Sequence, residues 1–206
     1  MREWSDETRA MLRGYDLPTL WRDPSVIYAL TPDLRLAFHS ESWVRFHEAN
    51  GGGPGFDTRW GPGCRALDAI QGPLRSHFER VFRLVIHSGE VWQHTYECSS
   101  AAVFRQFHLR ILPLPEQRGL LLVNSLIVER AHSDAERAPH SAVDTHYIDA
   151  HGIAHQCSHC RRMRRVDLPE DRWDWVPDWV TAPPPRTSHG LCEVCLLHHY
   201  PPFESN

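Results

Sequence analysis

Two Cys-x-x-Cys pairs, Cys157/Cys160 and Cys192/Cys195, constrain this chain more than any other feature. A two-residue spacer lets one tight turn aim both sulfurs at a single ion, and two such turns complete a tetrahedral four-thiolate site. The spacing predicts a structural zinc site ligated by Cys157, Cys160, Cys192 and Cys195. Disulfides are the competing use. The start, Met1-Arg2-Glu3-Trp4-Ser5-Asp6, has no apolar core of a secretory signal. A reducing cytoplasm is therefore the expected location, and structural disulfides are rare there. One Cys-x-x-Cys suits a redox pair, but that reading does not explain two. Cys64 and Cys98 lie far from the cluster and are expected as buried thiols. His189, three positions before Cys192, could replace a thiolate or support the turn.

Thirty-one residues separate the two pairs, more than a compact zinc ribbon contains. This suggests a treble-clef-like module, with a knuckle supplying the first pair and the start of a helix the second. Ser188-His189-Gly190-Leu191 reads as the turn. Cys192 to Tyr200 reads as a short helix stopped by Pro201-Pro202. The exposed N–H groups of a helix start favour thiolates.

A chain of 206 residues suits one medium domain or two small ones. No stretch reaches the roughly 18 apolar residues of a membrane helix, so no membrane partner is expected. Net charge is −4, which gives no general attraction to nucleic acid. Arg161-Arg162-Met163-Arg164-Arg165 is a local exception that could bind phosphate. Yet residues 146–206 hold six Arg and no Lys against eight acidic residues, so nucleic acid is the disfavoured partner and a protein the favoured one.

Local patterns order the rest. Ser5 caps a short helix to about Arg13. Val26–Leu30 and Arg35–His39 read as strands joined at Thr31-Pro32-Asp33. Glu41–Ala49 is helical and stops at Asn50-Gly51-Gly52-Gly53. From Leu74 to Ile86, apolar residues at Leu74, Phe78, Val81, Phe82, Val85 and Ile86 share one helical face. Three strands follow, at Val91–Cys98, Phe104–Leu112 and Leu120–Val128. Residues 131–145 read as a linker, Tyr147–Ile153 as a hairpin, and Trp173, Trp175 and Trp179 as packing for a module with little core.

This order resembles a PAS domain across about residues 20 to 130. Asp23-Pro24-Ser25-Val26-Ile27-Tyr28, His87-Ser88-Gly89-Glu90-Val91-Trp92 and Leu120-Leu121-Leu122-Val123-Asn124-Ser125 are similar to stretches of such domains. Cys157-Ser158-His159-Cys160 and Ser188-His189-Gly190-Leu191-Cys192-Glu193-Val194-Cys195 resemble a cysteine-rich tail of bacterial signalling proteins. The resemblance implies an antiparallel sheet folded over helices, with filled core or a ligand between them. Phe38, Phe46, Tyr96, Phe107, Leu109 and Leu122 are the candidate inward positions. Haem would require an axial His77 or His87. Gly61-Pro62-Gly63-Cys64-Arg65-Ala66-Leu67 is similar to the cysteine motif of flavin photosensors, but Gly63 and Asp68 depart from it, and the amides that would hold the ring are reduced to Gln93 and Asn124. Haem and flavin are thus the disfavoured cofactors and zinc the favoured one.

The expected fold is α+β: a helical cap over 1–19, a PAS-like antiparallel sheet with flanking helices over 20–130, a linker over 131–145 and a treble-clef-like zinc module over 146–206. No catalytic constellation is visible, so a signalling or adaptor protein is expected, acting through a protein partner or a homodimer of the PAS-like domain. A redox sensor working through zinc–thiolate oxidation and a zinc-dependent nucleic-acid regulator are the alternatives.

Overall fold

A computed structural model describes residues 3–50, 52, 55–56, 60–70, 73–100, 102–133 and 137–200. Gly51 and Gly53 of the expected helix stop, residues 134–136 of the expected linker and Pro201-Pro202 lie outside them. The fold is α+β. Its contacts divide into two compact units: Met1–His94 with His108–Ser125, and Thr95–Phe107 with Leu126–Asn206.

In the first unit, Ser5 Oγ accepts the Thr8 N–H at 3.2 Å and starts α1 (Asp6–Met11). A second helix, α2 (Leu17–Arg22), carries Pro18 in its first turn, where the missing N–H costs nothing. Strand β1 (Val26–Leu30) pairs antiparallel with β2 (Leu36–His39). The turn between them puts Leu34 at φ 63, a left-handed conformation costly for a side chain, and this residue is buried. Helices α3 (Glu41–Ala49) and α4 (Pro73–Ser88) come next, then β3 (Trp92–Glu97), β4 (Val103–Pro113) and β5 (Leu120–Ala131), three strands whose residues are divided between the two units. Sheet order is β2-β1-β5-β4-β3, with β5 antiparallel to β1.

Residues paired across strands share a face, and neighbours along a strand alternate. Ala29 pairs with Phe38 and Leu121, whereas Tyr28 pairs with Leu122. On the first face, Met11, Leu12 and Leu17 cover Ile27, Ala29, Phe38 and Leu121. The second meets α3 and α4, where Val81, Phe82, Val85 and Ile86 are buried as the helical pattern predicts. A sheet covered on both faces explains the unbroken Leu120-Leu121-Leu122 run in β5.

In the second unit, α5 (Asp144–Tyr147), β6 (Ala154–Cys157), β7 (Met163–Arg164), β8 (Trp173–Asp174), α6 (Pro177–Thr181), β9 (Thr187–Gly190) and α7 (Glu193–His199) follow in order. The small sheet runs β8-β7-β6-β9. The segment expected as a linker is structured in part. Strand β5 runs on to Ala131, Arg137 is buried, and the His140 N–H bonds the Trp175 carbonyl at 2.8 Å. At the expected hairpin, Tyr147 ends α5, and a tight turn follows that is closed by an antiparallel Ile148–Ala154 bridge.

Among the described residues, one small apolar core here gathers Tyr147, Ala154, Met163 and Val176, with Trp179 against Tyr147. A buried charge network supplements it. Asp174 accepts from the Tyr147 hydroxyl at 3.1 Å, Arg165 at 3.2 Å and Arg172 at 2.9 Å. Burial pushes the Asp174 carboxyl up, but hydrogen bonds from Arg172 and Arg165 outweigh it and hold the group below its usual range.

Two expectations follow. Gly119 sits at φ +129, and a Cβ there would lie 2.1 Å from the Leu30 carbonyl oxygen. Gly119→Ala should therefore destabilise the protein by more than about 2 kcal/mol in urea unfolding. A carboxyl depressed by folding stabilises above its unfolded pKa, near 3.9, and loses that contribution as pH falls through the lower folded value. The cost of Asp174→Asn should be roughly 3 kcal/mol at pH 7 and shrink below about pH 4. A urea series across pH reads both.

Candidate metal centre

Parallel pairing of β6 with β9 brings the two cysteine pairs together. Its register runs from Ala154↔Thr187 to Cys157↔Gly190, and the Ser158 N–H bonds the Gly190 carbonyl at 2.8 Å. The chain between β6 and β9 is the crossover that parallel strands require, here β7, β8 and α6. At the end of β6 the chain turns sharply: the Arg161 N–H bonds the Cys157 carbonyl at 3.0 Å, and Arg161 takes φ 62. At the end of β9, Cys192 caps α7, its sulfur accepting the Cys195 N–H at 3.4 Å.

All four sulfurs lie within 4.8 Å of one another and all four residues are buried. The Cys160 and Cys192 sulfurs are 3.8 Å apart. That is too long for a disulfide, and it matches the edge of a tetrahedron with metal–sulfur bonds of about 2.3 Å, roughly 3.8 Å. The four cysteines are not disulfide-bonded. They form a site able to hold a metal ion.

The electrostatics favour the same use. Cys157 is held well below the ordinary thiol range by hydrogen bonds from Cys160, Cys192 and Cys195. Cys195 is driven well above it by Cys157, Cys160 and Cys192. Two thiolates 3.8 Å apart repel by roughly 4 kcal/mol at an effective dielectric near 20. A divalent cation at the centre removes this conflict and lets all four ionise.

Sequence reasoning missed the residues that surround the sulfurs. His159, between the first pair, is buried. Its Nδ1 faces the Glu97 carbonyl, which can only accept, so Nδ1 carries the proton and Nε2 accepts from the Tyr200 hydroxyl at 2.8 Å. Burial keeps this imidazole below its ordinary pKa. Arg137 donates to the Cys160 carbonyl at 2.6 Å and to the Glu97 carboxylate. A histidine inside Cys-x-x-Cys was a readable signal, but Arg137 carried none, because its partners are distant in sequence. Trp173 packs on the cluster, as expected for one of the three tryptophans. His189 is not one of the clustered ligands among the described residues.

The basic run is largely committed to internal bonds. Arg161 donates to the Ser99 carbonyl, Arg164 pairs with Asp171, and Arg165 pairs with Asp167 and Asp174.

The six residues expected to share a pocket do not converge. Phe38 and Leu122 lie on opposite faces of the sheet because their partners, Ala29 and Tyr28, are adjacent in β1. Phe46 is half-buried on α3, and Leu109 is buried on β4. Tyr96 and Phe107 stack at 5.9 Å in the second unit. A small apolar cavity of about 90 Å³ in the first unit is lined by none of the six; its walls include Tyr28, Leu36, Trp43, Trp60, Cys64 and Phe82. Cofactor and ligand pockets commonly span about 300–1,000 Å³. Of the haem candidates on α4, His77 packs against Phe78 and Trp92, and His87 bonds back to the Arg83 carbonyl at 2.7 Å. Cys64 and Cys98, expected as buried thiols, are both half-buried, and desolvation pushes the Cys98 thiol up.

The sequence matches no protein-family model and no curated protein.

Cys192→Ser should lower bound metal to well under one ion per chain. Residues 146–206 should then lose protection from proteolysis while β1 and β5 keep theirs. Loss of protection throughout would mean that one core serves both units.

Proposed function

We propose that this chain is a non-enzymatic signalling or adaptor protein, in which a structural zinc ion holds a small interaction module and a PAS-like domain over residues 20–130 detects a signal or binds a partner. The observation that carries the reading is the set of four buried cysteine sulfurs at single-ion spacing. An all-thiolate set of four protein ligands suits tetrahedral zinc and would leave no open position for a reacting water. Cys157, Cys160, Cys192 and Cys195 would hold the ion, and the ion would supply a cross-link in place of a core.

The PAS-like reading is supported by the element order: two strands, helices, a long helix, then three strands in one sheet. The cavity walled by Tyr28, Trp43, Trp60 and Phe82 offers room for a small apolar ligand. A protein partner or a second copy is favoured over nucleic acid because Arg161, Arg164 and Arg165 are engaged within the chain. Among the described residues, no helix is long and apolar enough to cross a membrane. Four reduced thiols in one cluster suit a cytoplasmic setting. Burial of all four cysteines favours a structural ion over a primary oxidant sensor, which needs an accessible thiolate.

Elemental analysis and an absorbance spectrum of one purified sample test the reading. About one zinc per chain and no visible band is the expected result. Reduced protein that binds no zinc even when zinc is added would overturn it. A visible band would move the functional centre to a bound chromophore.

A further inference from the structure

Strand β3 lies at the edge of the five-stranded sheet. Backbone groups of alternate residues on a strand point to the same side. The Cys98 N–H bonds the Arg105 carbonyl of β4 at 3.0 Å, so residue 98 faces the sheet, and Thr95, Glu97 and Ser99 face outward. Each of these three carbonyls is met by a side chain of the cysteine module. His199 Nδ1 donates to Thr95 at 3.0 Å, His159 Nδ1 donates to Glu97, and Arg161 Nε donates to Ser99 at 3.1 Å. All of these residues belong to the second compact unit.

The donors share a second property. His159 lies between Cys157 and Cys160, Arg161 follows Cys160, and His199 stands on the helix that carries Cys195. Arg137 adds the link between the two sides, binding the Cys160 carbonyl and the Glu97 carboxylate together. This guanidinium is 7% exposed and is stacked 4.9 Å from the Trp175 ring. The positions of all three edge donors therefore follow from the path of the chain around the four sulfurs.

We propose that metal occupancy of the four-cysteine centre controls whether the outer edge of β3 is covered. The inference rests on the metal reading above. With the ion bound, the knuckle and α7 hold three donors against the edge. Without it, four crowded thiols no longer fix the turn, which must hold Arg161 at φ 62, and the donors leave the carbonyls. The uncovered carbonyls of Thr95, Glu97 and Ser99 then form a row that another extended strand can pair with. The β4 arm of the hairpin keeps its own tie, Arg105 to Glu129 at 2.6 Å, and the turn keeps the Ser100 carbonyl on His132 at 2.8 Å. Within the hairpin the change is thus confined to residues 95–99.

Hydrogen–deuterium exchange of the full chain, zinc-loaded and after chelation, tests this, with metal content measured on the same samples. Chelation should speed exchange over residues 95–99 about tenfold or more while residues 26–30 and 120–125 stay unchanged. Arg137→Met should keep its zinc yet show fast exchange at 95–99, since it loses two charge-assisted bonds, each worth about tenfold or more. Arg161→Ala, a milder change at a half-buried side chain, should show a smaller increase in the same segment. Zinc removal that leaves 95–99 as protected as before would overturn the coupling while leaving the metal site intact. Equal acceleration at 26–30 and 120–125 would also overturn it, because the ion would then support the whole fold. A chain that binds no zinc would defeat the metal reading itself, and the coupling with it.

Discussion

Four cysteine sulfurs within 4.8 Å set a condition that the rest of the second unit must meet. Four thiolates at that spacing repel one another, a conflict that a cation at the centre would remove. Meeting it requires two turns from distant parts of the chain to arrive side by side. Parallel pairing of β6 and β9 does this, and the three elements between them are the crossover that the pairing demands.

Around that centre, polar contacts replace the apolar core that so short a segment cannot build. Asp174 gathers a hydroxyl and two guanidinium groups, and Arg137 joins the Cys160 carbonyl to Glu97. Buried ion pairs contribute little net stability compared with apolar packing, but losing one partner leaves an uncompensated charge. They act chiefly as registration points, and here they register the knuckle and the β3 edge. Arg161, Arg164 and Arg165 of the arginine run are bonded within the molecule. The run's charge, which reads as a nucleic-acid signal in one dimension, is largely matched by carboxylates and carbonyls in three.

The first unit follows a different logic. Its sheet is covered on both faces, by Met11, Leu12 and Leu17 on one and by α3 and α4 on the other. Two-sided burial makes the Leu120–Leu122 run continuous and removes the alternation from which an inward face could be read. That is why Phe38 and Leu122, both apolar and both buried, were grouped in one pocket although they lie on opposite faces. The actual cavity draws on Trp60 and Cys64, which lie in a stretch with no periodic pattern to announce it.

The metal ligands were legible in the sequence because the two-residue spacer is a local property: a single turn suffices to aim each pair. Strands and helices of the first unit were legible for the same reason, since periodicities of 2 and 3.6 act over a few residues. Ser5 as a cap and the buried face of α4 are examples. Other features exist only once distant segments meet. The roles of His159 and Arg137 depend on Glu97, which lies 62 and 40 residues away. The face assignment of Phe38 depends on strand register, and the use of the arginine run depends on which carboxylates fold against it. Cysteine spacing and hydrophobic period determined the ligands and the element order; the tertiary structure decided every contact between segments, because backbone pairing and buried charge matching are long-range.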